Sequence, residues 1–393
     1  MDSCKHKVLY VVAVVMWFYI ADAAGQPPNA STDIQAAKAA WQRRHDRVHS
    51  LRATFTEEST VHRESYLVGA NRALAQARAK LGAAAEAIPD ADYLIAFASI
   101  VTIKGDDYFK YSYTGKRWSP HTRQFEPIEY YAISNPEDRI FFDRRPDSDR
   151  PPSVSVSDSR LSSDEGALTL GPLMLAVRSG SPSRRKLADY TVTGQTVTVE
   201  GRACVELLRG SRAEGNEDYL YLDPGRDWVV RRIDGYSDGK LTKRISAEYT
   251  ADPVAGWLPS AWSYVIRSAE GKALESGKVT VHQYEINTDI PDDEFRPKYP
   301  PGTFVVRDTK GKGTVSVVKS DGSPGVGVSL AQRPSYDHLV QANRAERRQR
   351  IWLLAIVGAV MAVTAIVVVR WRRKRAADAD ATGLASGPTV PGA

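Results

Sequence analysis

Hydrophobic positions follow three different rhythms along the chain. Ile351–Val369 (IWLLAIVGAVMAVTAIVVV) carries no charge and a single hydroxyl, Thr364. At the helical rise this run covers about 28 Å, close to the hydrocarbon thickness of a bilayer. A helix buried in a soluble core keeps a polar stripe, and this one has none, so the pattern predicts a transmembrane helix. A shorter apolar run, Val8–Ile20, follows Lys5 and Lys7 and leads into Ala21-Asp22-Ala23. A basic start, an apolar core and a small-x-small end predict a signal peptide over residues 1–23. An uncleaved anchor is the alternative, because Trp17, Phe18 and Tyr19 close the run.

Between these runs the rhythm alternates between helical and strand periods. Ser31 or Thr32 caps a predicted helix over Asp33–Ser50, with Ile34, Ala37, Trp41, Val48 and Leu51 on one stripe. Ala53–Thr60 switches to strand composition. Arg63–Ala87 returns to helix, with Leu67, Ala70, Leu74, Ala77, Leu81, Ala84 and Ile88 at spacings of three and four. This helical insertion (63–88) either lies on the sheet or serves as a lid or partner-binding helix. From Leu94 onward short strands and turns dominate. Gly105-Asp106 joins Ile95–Lys104 to Asp107–Tyr113 as a hairpin, and Trp118, Tyr130, Tyr131, Phe141 and Phe142 continue the aromatic strands. Residues 144–165 are predicted as an exposed loop, and Ala167–Val177 as a short helix interrupted at Gly171-Pro172. Turn signals then recur roughly every dozen residues from Asp189 to Ile290, which predicts an antiparallel meander.

The expected architecture is therefore α+β. A curved antiparallel sheet covering a few helices forms an exported domain over 31–308. A glycine-rich stalk (309–350) follows, then the transmembrane helix (351–369) and a short internal tail (370–393). Arg344, Arg347, Arg348 and Arg350 stand before the span, and Arg370, Arg372, Arg373, Lys374 and Arg375 after it. With basic residues on both flanks the positive-inside rule is nearly balanced. The signal peptide breaks the tie and predicts an extracytoplasmic domain, a cytoplasmic C-terminus and a single-pass protein of the cell membrane.

Charge changes the picture little. The chain carries 53 basic and 47 acidic residues. Removing those beside the two apolar runs leaves equal numbers of each sign, so the domain is formally neutral and has no footprint for nucleic acid. Of two cysteines, Cys4 precedes the signal core and Cys204 remains alone in an apolar strand context (Ala203, Val205, Leu207), where an inert thiol is expected. His45 and His49 have the spacing of a zinc-protease helix. Asp46 stands where a general-base glutamate belongs, and Arg43, Arg44, Arg47 and Arg52 oppose a cation, so no metal is expected. No phosphate loop, cofactor motif or Gly-x-Ser-x-Gly turn appears, and no enzyme activity is expected. A curved sheet over helices instead leaves an apolar concavity. Its candidate lining is Trp118, Tyr219, Tyr221, Trp228, Trp257 and Trp262, with plain core packing as the alternative for each.

Several segments resemble the LolA-like domains, the lipoprotein carriers of bacterial outer-membrane lipoprotein sorting. Val48–Glu57 is similar to the family's opening helix-to-strand junction, and Gly171-Pro172-Leu173-Met174-Leu175 to its mid-chain helix. Ile290-Pro291-Asp292-Asp293-Glu294-Phe295, with Pro300–Val306, is similar to its closing strand and turn. The resemblance spans about Ile34–Asp308. It implies an unclosed β-barrel over helices, and a role in binding lipid or lipoprotein acyl chains or in sensing envelope components. Where the carriers often place Arg-Pro this chain has Lys104-Gly105, so an arginine latch is not carried over. The tether Ile351–Val369 also sets it apart from carriers that shuttle freely. The alternatives are an envelope scaffold using the 63–88 helix and stalk to engage protein partners, and, more remotely, a tethered metallohydrolase using His45 and His49.

Overall fold

Period-two alternation begins at Ser50 and is sustained, with breaks, as far as Ile286. The computed structural model describes residues 30–63, 65, 91–119, 124–146, 151–157, 167–177, 187–211, 213, 215–309, 312–332 and 334–383. The expected signal peptide, nearly all of the 63–88 insertion and the end of the tail lie outside the described residues.

The chain divides into two units, the first running to Lys298 with Arg307–Gly311. It opens with helix α1 (Ala30–Arg47) and six strands: β1 (Ser50–Val61), β2 (Tyr93–Lys104), β3 (Tyr108–Ser119), β4 (Gln124–Ser134), β5 (Arg139–Arg144) and β6 (Ser153–Ser157). Helix α2 (Ala167–Val177) follows, and then β7 (Thr191–Val199), β8 (Arg202–Ser211), β9 (Asn216–Asp223), β10 (Val229–Ser237), β11 (Lys240–Asp252), β12 (Gly256–Arg267) and β13 (Ala273–Ile286). The strand order is β6-β5-β4-β3-β2-β1-β13-β12-β11-β10-β9-β8-β7. Two meanders thus meet where β1 pairs antiparallel with β13, Leu51 opposite Ile286, and the sheet does not close.

One apolar cluster joins Ala37, Ala40 and Trp41 of α1 and Leu170–Val177 of α2 to buried residues on every strand from β3 to β8. Neighbouring strands lie about 4.8 Å apart, so those nine strands would span about 38 Å if flat. Two helices each about 10 Å across cannot cover that width. A single core therefore requires the sheet to bend round the helices, as the α+β expectation proposed. Pro172 does not interrupt α2, which runs through it. This helix is apolar all round and held by packing on β10 and β12, which outweighs one lost backbone bond.

Two expected irregular segments carry structure. Val154 and Val156 alternate with serines in the 144–165 stretch and pair with β5 as β6, their side chains buried. The stalk sequence, where Thr314–Val318 allows one edge strand, carries that strand and more. The second unit holds the first three residues of β14 (Phe304–Thr309), then β15 (Lys312–Val317), the two-residue β16 (Val328–Ser329) and α3 (Tyr336–Gly383). Val315 and Val317 meet Leu339, with Phe304, Val306, Val328, Tyr336 and Val340 packed around them. The alternating pairs Phe304/Val306 and Val315/Val317, with Val328 and one helical turn, suffice for a small core, despite the glycines. Beyond it α3 continues through Ile351–Val369 with its apolar side chains exposed, long and apolar enough to cross a membrane. Its backbone stays helical past Arg370, Arg372 and Arg373.

Candidate functional site

The helix-covered face of the sheet changes character along β1. Leu51, Ala53, Phe55, Glu57, Ser59 and Val61 point to that face, while Arg52, Thr54, Thr56 and Glu58 alternate on the other. Leu51 and Ala53 belong to the core beneath the helices. From Phe55 onward the same face becomes aromatic and then polar. A register shift against β13 between Thr54 and Phe55 marks the change, because a bulge re-aims the residues that follow.

Cross-strand register assembles the rest. Phe55 lies opposite Ser99, Ser99 opposite Tyr113, and Tyr113 opposite Tyr130. The Phe55 ring stacks with Tyr111 at 6.3 Å between centroids and meets Trp262 at 6.0 Å. Tyr113 continues the row, 4.8 Å from both Phe97 and Tyr130. Tyr111 and Trp262 are buried, while Phe97, Tyr113 and Tyr130 stay partly exposed. Among the described residues, α2 packs chiefly on β12 and β10 and α1 on β7. The aromatic row on β2–β4 runs beyond those contacts.

At the polar end two carboxyl groups converge on one phenol. Tyr264 Oη lies 2.6 Å from Glu57 Oε1 and 2.9 Å from Glu275 Oε1. Burial and these two acids raise the Tyr264 pKa, so the phenol stays protonated and is the donor. Burial, with Glu57 nearby, does the same to Tyr111. Gly277 makes room for this ring: a Cβ there would stand 2.6 Å from Tyr264 Cζ. Aromatic surface, hydroxyls and carboxyls already engaged by a phenol suit the binding of an apolar chain better than acid–base work.

The six aromatics named from the sequence do not come together. Trp262 is buried in the main core, and Trp228 and Trp257 pack against it. Trp257 lies under the Arg226 guanidinium at 4.7 Å, and the Trp228 carbonyl accepts Trp41 Nε1 at 2.7 Å. Tyr219 and Tyr221 sit on the opposite face. Their neighbours Leu220 and Leu222 enter the core, while Tyr221 joins Val199 and Cys204 outside it, with Arg232 stacked over its ring at 4.0 Å. Trp118 stands at the end of β3 against Phe125, 5.4 Å between centroids. Sequence reasoning did not single out Phe97, Tyr111, Tyr113 or Tyr264, since only pairing register tells which aromatics share a face.

The histidines diverge. His45 Nε2 meets Asp106 Oδ1 at 3.1 Å, while the backbone of His49 bonds Gly105 and Asn287. No cluster of three His, Cys, Asp or Glu suited to a metal occurs among the described residues. The Cys204 thiol is buried, and burial pushes its pKa up to about 11. In place of an arginine latch, Lys104 Nζ ties down the closing segment through Asp292 at 2.5 Å and the Ile290 carbonyl at 2.7 Å.

No family model matches the chain, and no curated protein does. Solved structures similar to it include the following three. A domain titled an outer-membrane lipoprotein-sorting protein, from Vibrio parahaemolyticus, is 13% identical, with 68% of this chain and 97% of that one covered, at a TM-score of 0.38. A DUF1329 family protein from Desulfovibrio piger is 10% identical over 69% of this chain and 98% of that one, at 0.34. A LolA superfamily protein from Nitrosomonas europaea is 15% identical over 66% and 96%, at 0.32. Two of these titles name the family that the sequence resembles.

Proposed function

We propose that this chain is a membrane-anchored, extracytoplasmic binding protein without catalytic activity, which holds the acyl chain of a lipid or lipoprotein against the inner face of its bent sheet. One observation carries the reading. The aromatic row Phe97, Tyr113 and Tyr130 is partly exposed on the very face that elsewhere forms the buried core. Apolar surface left open on a concave face is what an acyl chain needs, at roughly 0.8 kcal/mol for each methylene buried. The exposed apolar length of α3 supports anchoring in a bilayer. The converging Glu57, Tyr264 and Glu275 bound the row at its polar end, where a polar head or thioether glycerol would lie.

The test uses the full chain in lipid nanodiscs with a photoactivatable fatty acid. Adducts are expected on β2–β4, at Phe97, Tyr113 and Tyr130, and competition by unlabelled fatty acid removes them. Adducts confined to Ile351–Val369 would report bulk lipid around the anchor and overturn the reading.

A further inference from the structure

The second unit carries a groove whose basic end stands at the depth where a phospholipid headgroup lies. Tyr336, Val340, Asn343, Arg344 and Arg347 form one stripe of α3, at helical spacings of four, three, one and three. The start of the stripe is fixed to the hairpin. The Tyr336 hydroxyl donates to the Gly302 carbonyl at 3.1 Å, and Asn343 Nδ2 donates to the Val317 carbonyl at 2.9 Å while its Oδ1 accepts Val326 N–H. The stripe, with Gly302 and residues 317–321, lines a groove of about 540 Å³. Its charges are Lys319, Arg344, Arg347, Asp321 and Glu346. Lys319 pairs with Glu346 at 2.8 Å, and Asp321 holds the Ser323 turn. Arg344 and Arg347 are exposed, and neither has a carboxylate partner among the described residues.

Position supplies the ligand. Arg347 stands four residues before Ile351 and Arg344 seven, hence about 6 and 10 Å along the helix from the start of the apolar run. The headgroup layer is about 5–7 Å thick on each side of the hydrocarbon, so Arg347 stands within it and Arg344 one turn further out, at its water face. We infer that this groove binds the phosphate of an anionic phospholipid, with Arg344 and Arg347 donating to its oxygens and Lys319 at the rim. Two guanidiniums one helical turn apart offer the forked donors that a phosphate accepts. The inference rests on the reading of α3 as a membrane span, but not on which way the span points.

The test places the full chain in nanodiscs of equimolar phosphatidylcholine and phosphatidylglycerol and counts retained lipids by native mass spectrometry. Preferential retention of phosphatidylglycerol is expected, falling about tenfold in R344Q/R347Q, as two exposed and water-screened contacts are lost together. R348Q, also exposed and adjacent but outside the groove, should retain it. Equal loss in R348Q, or no preference in the unmodified chain, overturns the groove. A chain that fails to enter nanodiscs and is extracted by alkaline carbonate overturns the span reading instead. Inorganic phosphate added to the lipid-free chain in neutral detergent separates the two sources of phosphate: binding as tight as that of the lipid overturns a lipid site, and much weaker binding supports it.

Discussion

Arg44 keys helix α1 to the rest of the fold, and its removal should be among the costliest single changes in the first unit. Its side chain is 1% exposed. Nε donates to the Ala176 carbonyl at the end of α2 at 3.1 Å, and Nη1 donates to Asp227 Oδ2 at 3.1 Å and to the Asp227 carbonyl. Desolvation lowers the Arg44 pKa, and Asp227 opposes that shift. The turn it grips is strained, since Asp227 and Trp228 both adopt positive φ, 53° and 60°. Breaking a buried pair costs about 3–5 kcal/mol. Asp227 is 28% exposed and recovers some water, so Arg44→Ala is placed near the lower end, about 3 kcal/mol. For a domain of this size that is roughly 6–12 °C in Tm. Arg43 supplies the control: it reaches the same carboxylate at 3.0 Å but is 54% exposed, so Arg43→Ala should cost about 0.5 kcal/mol, or 1–2 °C. Thermal unfolding of the full chain in nanodiscs measures both, and a double-mutant cycle with Asp227→Asn isolates each pair. Equal losses from the two arginines would refute the reasoning.

Three further outcomes follow from the same structure. Tyr264→Phe leaves Glu57 and Glu275 without their shared donor and should cost about 1–3 kcal/mol; Gly277→Ala, which drives a methyl into the Tyr264 ring, should cost a comparable amount and be partly relieved by a second change, Tyr264→Leu. Burial raises the pKa values of Tyr111, Tyr249, Tyr264 and Tyr284 above 10.0, and that of Cys204 to about 11. A raised folded value favours the protonated fold, so this stability is complete below about pH 9 and is lost as pH rises through 10 and beyond. Phenolate absorbance should therefore appear for these tyrosines in one step with loss of circular dichroism, and stepwise ionisation of an intact fold would contradict it. Two arginines at mid-span, in Val360→Arg with Val363→Arg, should each cost about 2.5–3.5 kcal/mol and release the chain from membranes under carbonate extraction. Retention of that variant would argue against a span.

Local chemistry decided much of this protein before any packing was considered. The apolar run Ile351–Val369 is legible because a bilayer demands length and absence of charge, both written in consecutive residues. The meander of β7–β13 is legible because turn residues such as Asp223-Pro224-Gly225 and Ser237-Asp238-Gly239 act through their own backbone angles. Buried Cys204 and the α1 stripe of Ala37 and Trp41 follow from neighbours within one element.

Tertiary structure decided which face each aromatic serves. Tyr219 and Tyr221 differ from Tyr111 and Tyr113 in nothing local, yet pairing register sends the first two away from the helices and the second pair toward them. A shift of one residue exchanges the faces, and only the partner strand fixes it. The same holds for the stalk, where Val315 and Val317 become a core only because Leu339 arrives from a helix more than twenty residues away. Sequence specified the strands, the turns and the long apolar helix, because those depend on adjacent residues. Contacts between distant residues specified which aromatics share the inner face of the sheet and the groove beside the start of α3, because a concavity belongs to no single segment.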